Sequence, residues 1–65
     1  MRDVNAKELV ELVGRAEVIM EASVNGETFE KTELMGASFI KTEFRNCVFR
    51  EVDFREANFV DSSFS

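Results

Sequence analysis

The chain has no histidine, no proline, no tryptophan and no tyrosine, and only one cysteine and three glycines among 65 residues. Each shortage excludes something. A lone thiol, Cys47, cannot form an internal disulfide. With no histidine and one cysteine, a structural zinc site lacks its usual ligands. The same lack leaves Cys47 without an imidazole to activate it as a nucleophile. Gly14, Gly26 and Gly36 are isolated, so no glycine-rich phosphate loop is present. The absence of proline and of low-complexity stretches argues against a disordered tail. No apolar run approaches the ~20 residues of a membrane span. Met1-Arg2-Asp3-Val4-Asn5 carries no apolar stretch of signal-peptide type. A single unpaired thiol fits a reducing compartment, and the expected location is cytoplasmic.

Basic charge is scarce as well. Eight Lys and Arg stand against thirteen Asp and Glu, for a net charge of −5. The cations are dispersed among acids and form no stripe, which disfavours direct contact with nucleic acid or an anionic membrane surface. The length allows one small domain, whose core is marginal because a chain this short buries only about 60% of its unfolded surface. Without disulfide or metal, the missing stability has to come from tight stacking or from another chain.

The first third reads as helical. Asn5 is placed to cap a helix over about 5–13, with Glu8 three residues later as in a capping box. Val4 and Leu9 are spaced for a hydrophobic staple across that cap. Leu9, Leu12, Val13 and Ala16 continue one apolar stripe. Gly14 is either a C-terminal cap or an interior glycine costing ~1 kcal/mol. Residues 17–21 either extend the helix or begin a second segment.

That second segment is a repeat. All seven phenylalanines, Phe29, Phe39, Phe44, Phe49, Phe54, Phe59 and Phe64, share one five-residue register, and Leu34 fills its gap. Counting back adds Val24. Two residues before each of these nine comes Ala22, Glu27, Thr32, Ala37, Thr42, Cys47, Val52, Ala57 or Ser62, small or medium in every case but Glu27. A period of five fits neither a helix nor a straight strand, since both would leave alternate aromatics in water. One bend per repeat resolves the conflict. The small residue and the aromatic, two apart on an extended segment, then both point inward, and the remaining residues form the corner. Asn25-Gly26 is a turn signal of this kind.

Ala57-Asn58-Phe59-Val60-Asp61 resembles the unit of the pentapeptide-repeat family, Ala-(Asp/Asn)-Leu/Phe-x-x. Ala37-Ser38-Phe39, Cys47-Val48-Phe49 and Val52-Asp53-Phe54 match it with tolerated variants. The resemblance covers residues 22–65 and implies a β-solenoid: a right-handed quadrilateral parallel β-helix with four repeats per coil. Nine repeats then make about two coils, with residues 1–21 as capping helix and connection and 22–65 as the β-helix. Residues twenty apart overlie one another. The interior columns become Val24/Phe44/Phe64, Phe29/Phe49, Leu34/Phe54 and Phe39/Phe59, which spends the aromatics on the interior. Outside, Glu30 falls over Arg50, Lys31 over Glu51 and Lys41 over Asp61, as expected ion pairs, whereas Glu33 over Asp53 is a like-charge exception.

The helix is expected to lid the first coil, while Ser65 stops the register in mid-repeat. The expectation is therefore part of a longer or self-associating solenoid, with a protein partner or a second copy at the C-terminal end. Ile40 and Val60 form an apolar outer column, with Met35 around the neighbouring corner. Together with Phe64 at the bare end they are the candidate interaction surface. Chemistry is otherwise thin. Cys47 reads as a small core residue. Glu33 and Asp53, stacked about 5 Å apart, have a separation used by paired catalytic carboxylates but lie on a convex face without a cleft. Glu27, nominally inward, is expected to reach solvent or the helix. No catalytic residue, cofactor or metal is assigned. The functional expectation is a non-catalytic interaction or scaffold module. The alternative that the resemblance implies is a DNA mimic acting on DNA gyrase, inhibiting it or protecting it from quinolones.

Overall fold

Short parallel strands stack in steps of twenty residues, one side of a square at a time. The computed structural model describes residues 1–65. Strands β1 (Arg2–Asp3), β3 (Ala22–Asn25), β6 (Glu43–Arg45) and β9 (Ser63–Phe64) form one side. β4 (Thr28–Glu30) and β7 (Val48–Arg50) form the next. The third side is marked by a parallel bridge between Glu33 and Asp53. β2 (Ile19–Met20), β5 (Ser38–Ile40) and β8 (Asn58–Val60) form the fourth. Helix α1 (Ala6–Gly14) lies between β1 and β2.

The register is the one the repeat dictates. Val24 pairs with Phe44, Phe44 with Phe64, Phe29 with Phe49 and Phe39 with Phe59. Phe29, Leu34, Phe39 and Phe44 are buried, and Phe29 and Phe39 stack on Phe49 and Phe59 at centroid distances of 5.1 and 5.0 Å. Full burial of such a ring stabilises by ~1.5–3 kcal/mol, and a well-placed aromatic pair adds ~0.5–1.5 kcal/mol. These columns hold the fold together.

The corners have a specific conformation. The second residue after each inward residue has a positive φ: Glu21, Lys31, Lys41, Asn46, Glu51, Glu56 and Asp61 at 49–60°, with Gly26 and Gly36 at 70°. That geometry turns the chain. For a residue with a Cβ it costs roughly 1–2 kcal/mol. A hydrogen bond offsets part of this cost. The corner N–H groups of Glu21, Gly26, Lys31, Gly36, Lys41 and Asn46 each donate to the coil above, to the carbonyls of Ile40, Arg45, Arg50, Arg55, Val60 and Ser65. Gly, Asn and Asp occupy four of these positions (Gly26, Gly36, Asn46, Asp61), the residues for which this conformation is cheapest.

The small inward positions act through hydrogen bonds too. Thr42 Oγ1, fully buried, donates within reach of the Ile19 and Ile40 carbonyls, both at 3.2 Å. Cys47 Sγ stands in the same relation to Val24 and Arg45, and Ser62 Oγ to Phe39 and Val60. Each lies near one carbonyl two residues back and one twenty-three residues back. Every buried side-chain nitrogen and oxygen is hydrogen-bonded.

α1 lids the lower end. Asn5 Oδ1 accepts the Glu8 N–H at 2.8 Å, as a cap should, and Val4 and Leu9 are both buried in the core. Glu8 does not close a reciprocal box; its carboxylate lies 3.6 Å from Arg2. The helix ends in a Schellman turn. Ala16 N–H donates to Val13 O and Glu17 N–H to Leu12 O, with Ala16 at φ 60°. Gly14 is thus the last helical residue, two positions before the left-handed one. Glu27, the odd inward carboxylate, accepts the Ala6 N–H at 2.7 Å through Oε1 and so serves as a second cap on α1.

Three expectations are corrected. The stacked strands reach back beyond Ala22: Arg2 pairs with Ala22 and Ile19 with Phe39, so Ile19, fully buried, is an inward residue that the repeat count left out. The three cross-coil charge pairs are in register but do not form ion pairs. The close pairs run along the strand instead, Arg45 to Glu43 at 3.0 Å and Arg55 to Asp53 at 2.7 Å. Residues either side of an inward residue share the outer face, so an arginine folds onto its own strand at little cost. Finally, the aromatics are not all interior, because nothing in the chain overlies the second coil. Phe49 and Phe54 are half-buried, and Phe59 and Phe64 are 40% and 50% exposed.

Candidate functional site

The second coil ends in a square of four phenylalanine rings, one from each side. Neighbouring centroids are 5.4 Å apart for Phe49–Phe54, 5.7 Å for Phe54–Phe59, 5.3 Å for Phe59–Phe64 and 5.8 Å for Phe64–Phe49. The rings rest on the buried layer below, with Phe64 4.8 Å from Phe44. They form an apolar floor, built by the same columns that build the core.

Its rim is polar. Three corners around the floor carry Glu51, Glu56 and Asp61, all exposed and all at positive φ. One coil lower, the matching residues are Lys31, Gly36 and Lys41. Those lower corners spend their N–H groups on the coil above, whereas the N–H groups of Glu51, Glu56 and Asp61 have no acceptor within the chain. Apolar rings and free backbone donors thus face the same way.

Of the four residues expected to form an interaction surface, Ile40 and Val60 are brought together as paired neighbours in β5 and β8. Phe64 belongs to the aromatic square. Met35 stands apart on the Glu33/Asp53 side, exposed, with its Sδ 3.4 Å from Arg55 Nη2. Met35 also borders a groove lined by Val13, Ala16, Glu17, Val18, Gly36, Ala37 and Ser38.

Met20 was missed. It pairs with Ile40 and lengthens the outer column to Met20, Ile40 and Val60. The signal was Ile19 in the five-residue register, which would have put Met20 directly after an inward residue. This side is unlike the other three. Its strands and flanks present Val18, Met20, Ser38, Ile40, Asn58 and Val60, with no charge, whereas the others present Glu43 and Arg45, Glu30 and Arg50, or Glu33, Asp53 and Arg55. Val60 adjoins Phe59, so the uncharged side runs into the aromatic end.

The paired carboxylates do not form an acid/base couple. Arg55 donates from Nε and Nη2 to Asp53, at 2.7–3.0 Å, and its backbone N–H donates to Asp53 Oδ1. These bonds hold the Asp53 carboxyl below the usual carboxylate range, the opposite of what a general acid needs. The same guanidinium also feels the charge of Glu33, which eases the like-charge stack. Cys47 is half-buried with its thiol near two carbonyls, in keeping with a packing role.

The family model for pentapeptide repeats matches residues 22–65 with eight copies. The chain belongs to the pentapeptide-repeat family. Its fold is accordingly the right-handed quadrilateral β-helix of that family, here with one short helix in front. Comparison with curated proteins and with solved structures returned no match. No helix is long and apolar enough to cross a membrane.

Proposed function

We propose that this pentapeptide-repeat chain is a non-catalytic protein-interaction or scaffold module that docks another protein chain on its C-terminal aromatic end. The observation that carries the reading is the square of Phe49, Phe54, Phe59 and Phe64, with Phe59 and Phe64 40% and 50% exposed. Adjoining aromatic rings call for a cover, and further coils of a longer solenoid, a second copy or another protein would each supply one. Open strand edges with unpaired donors beside the rings add to the case. The uncharged Met20/Ile40/Val60 side extends the ground available to a partner. A non-catalytic role is supported by the Arg55 hydrogen bonds that hold the Asp53 carboxyl below its ordinary range and by the outward placement of Glu33 and Asp53.

The test is site-specific photo-cross-linking in cells, with benzoylphenylalanine in place of Phe59 or Phe64 and, as control, of Ser23 on the polar side. Protein adducts, including adducts of two copies, are expected at the first two positions and not at Ser23. Their absence at Phe59 and Phe64 overturns the proposal. Mimicry of duplex DNA toward gyrase has the net charge of −5 in its favour. The dimensions do not favour it: the longest principal extent is 25 Å, against about 34 Å for one turn of duplex.

A further inference from the structure

Only at Asn25-Gly26 does a glycine follow an asparagine; Asn5, Asn46 and Asn58 are followed by Ala6, Cys47 and Phe59. In such a step the backbone nitrogen can attack the preceding carboxamide carbon and close a five-membered ring. Glycine, with no Cβ, crowds that approach least. Both residues are exposed at the corner between β3 and β4, and Asn25 lines an open polar cleft with Asp3, Asn5, Ser23 and Glu27. Solvent therefore reaches the carboxamide. The attacking group is less free, because Gly26 N–H donates to the Arg45 carbonyl of the next coil at 2.8 Å. Asn25 is the last residue of β3 and pairs with Arg45 in β6. The N–H proton thus faces a carbonyl and not a base, and ring closure needs this peptide to swing away from its partner. That requires β3 and β6 to part, along a ladder that also holds the fully buried Val24 on Phe44.

We propose that Asn25-Gly26 is a spontaneous modification site gated by the stacking of β6 on β3. When the two strands part, hydroxide takes the Gly26 N–H proton and becomes water. The nitrogen bonds to Asn25 Cγ, and the carboxamide nitrogen, protonated by water, leaves as ammonia. The resulting succinimide then takes up one water. Opening at Cγ leaves aspartate at position 25, and opening at the backbone carbonyl leaves isoaspartate. One water is consumed and one ammonia released, with no oxidation or reduction.

The two products differ in what they do to the fold. Aspartate keeps the length of the backbone and adds one charge at an exposed position. Isoaspartate routes the main chain through Cβ and Cγ, which inserts one carbon between Val24 and Phe29. Those two inward residues are fixed from the next coil, Val24 by Phe44 and Phe29 by Phe49, so the register has no slack for the extra carbon. Glu27, which holds the Ala6 N–H, lies within the lengthened step as well. A chain that stays open long enough to react therefore closes poorly afterwards, and the opening becomes one-way.

The experiment incubates the whole chain at mildly alkaline pH in three forms: the parent in buffer, the parent in guanidinium chloride, and Phe39→Ala, which lacks a ring of the buried layer, in buffer. Aspartate and isoaspartate at position 25 are read by chromatography and mass spectrometry of the tryptic peptide Ala16–Lys31. Conversion in the folded parent is expected to be at least roughly tenfold slower than in denaturant, equivalent to an opening free energy of about 1.4 kcal/mol or more. Phe39→Ala should move toward the denatured rate. The isoaspartyl chain, separated from the denatured incubation, should lose or lower its thermal transition, whereas Asn25→Asp should melt close to the parent. Equal rates in buffer and denaturant overturn the gating, as does a Phe39→Ala chain that is less stable to urea yet reacts at the parent rate. No conversion in denaturant overturns the site itself. An isoaspartyl chain that melts like the parent overturns the one-way consequence.

Discussion

Phe39 and Phe59 lie face to face, centroids 5.0 Å apart and planes within 10°, yet Phe39 is fully buried and Phe59 is 40% exposed. The two occupy the same repeat position one coil apart. Their different fates come only from what lies above. Phe39→Ala should therefore cost about 3–5 kcal/mol, enough to unfold a domain of this size, whereas Phe59→Ala should cost roughly half as much or less. Urea denaturation of the isolated chain measures both. Equal costs would mean that the aromatic end is covered in solution.

Thr42 tests whether the small inward positions are chosen for size alone. Valine has nearly the same shape and no hydroxyl. Thr42→Val keeps the packing but removes the donor near the Ile19 and Ile40 carbonyls. Ile40 retains its bond from the Glu21 N–H, so the loss should be modest, about 0.5–1.5 kcal/mol. An unchanged or raised urea midpoint would show that the hydroxyl contributes nothing.

The end of α1 offers a stabilising change. Gly14 is helical with open space around its Cα, while Ala16 holds the left-handed position at φ 60°. Exchanging their roles suits both sites. Gly14→Ala and Ala16→Gly should each add about 0.5–1 kcal/mol, by helix propensity in the first case and relief of strain in the second. Thermal melts of the single variants decide. A fall in melting temperature for Ala16→Gly would contradict the Schellman reading of this turn.

The columns were legible in the sequence because a five-residue period in bulky residues admits one inward solution. The twenty-residue overlay came with it, and the structure has it in Phe29/Phe49 and Phe39/Phe59. Ile19 and Met20 were not legible, because α1 intervenes and the register resumes in front of Ala22 with no aromatic to mark it. The ion pairs were misjudged because proximity of backbones in neighbouring coils says nothing about where a flexible arginine turns. Arg55 turns to Asp53, two residues away. The exposure of Phe59 was hidden by the repeat itself. Sequence assigns every phenylalanine the same environment, while only its place in the stack decides whether anything covers it.

Arg55 links the one like-charge stack to pH. Its hydrogen bonds hold the Asp53 carboxyl below its ordinary value of 3.8 in the folded chain. A depressed carboxyl contributes stability that is present above the unfolded value and lost as pH falls through the folded one. Arg55→Gln should therefore be less stable than the parent at neutral pH, with a gap that closes as pH drops below 3.8. In the variant, Glu33 and Asp53 face each other across the bridge with no cation between them. Adding Glu33→Gln should restore part of the loss in the Arg55→Gln background and change little in the parent, where the charge of the guanidinium offsets the repulsion. Urea midpoints of the four proteins between about pH 7 and pH 2.5, with the Asp53 carboxyl followed by carbon NMR, measure this directly. A gap independent of pH would assign the effect of Arg55 to its packing on Met35 instead.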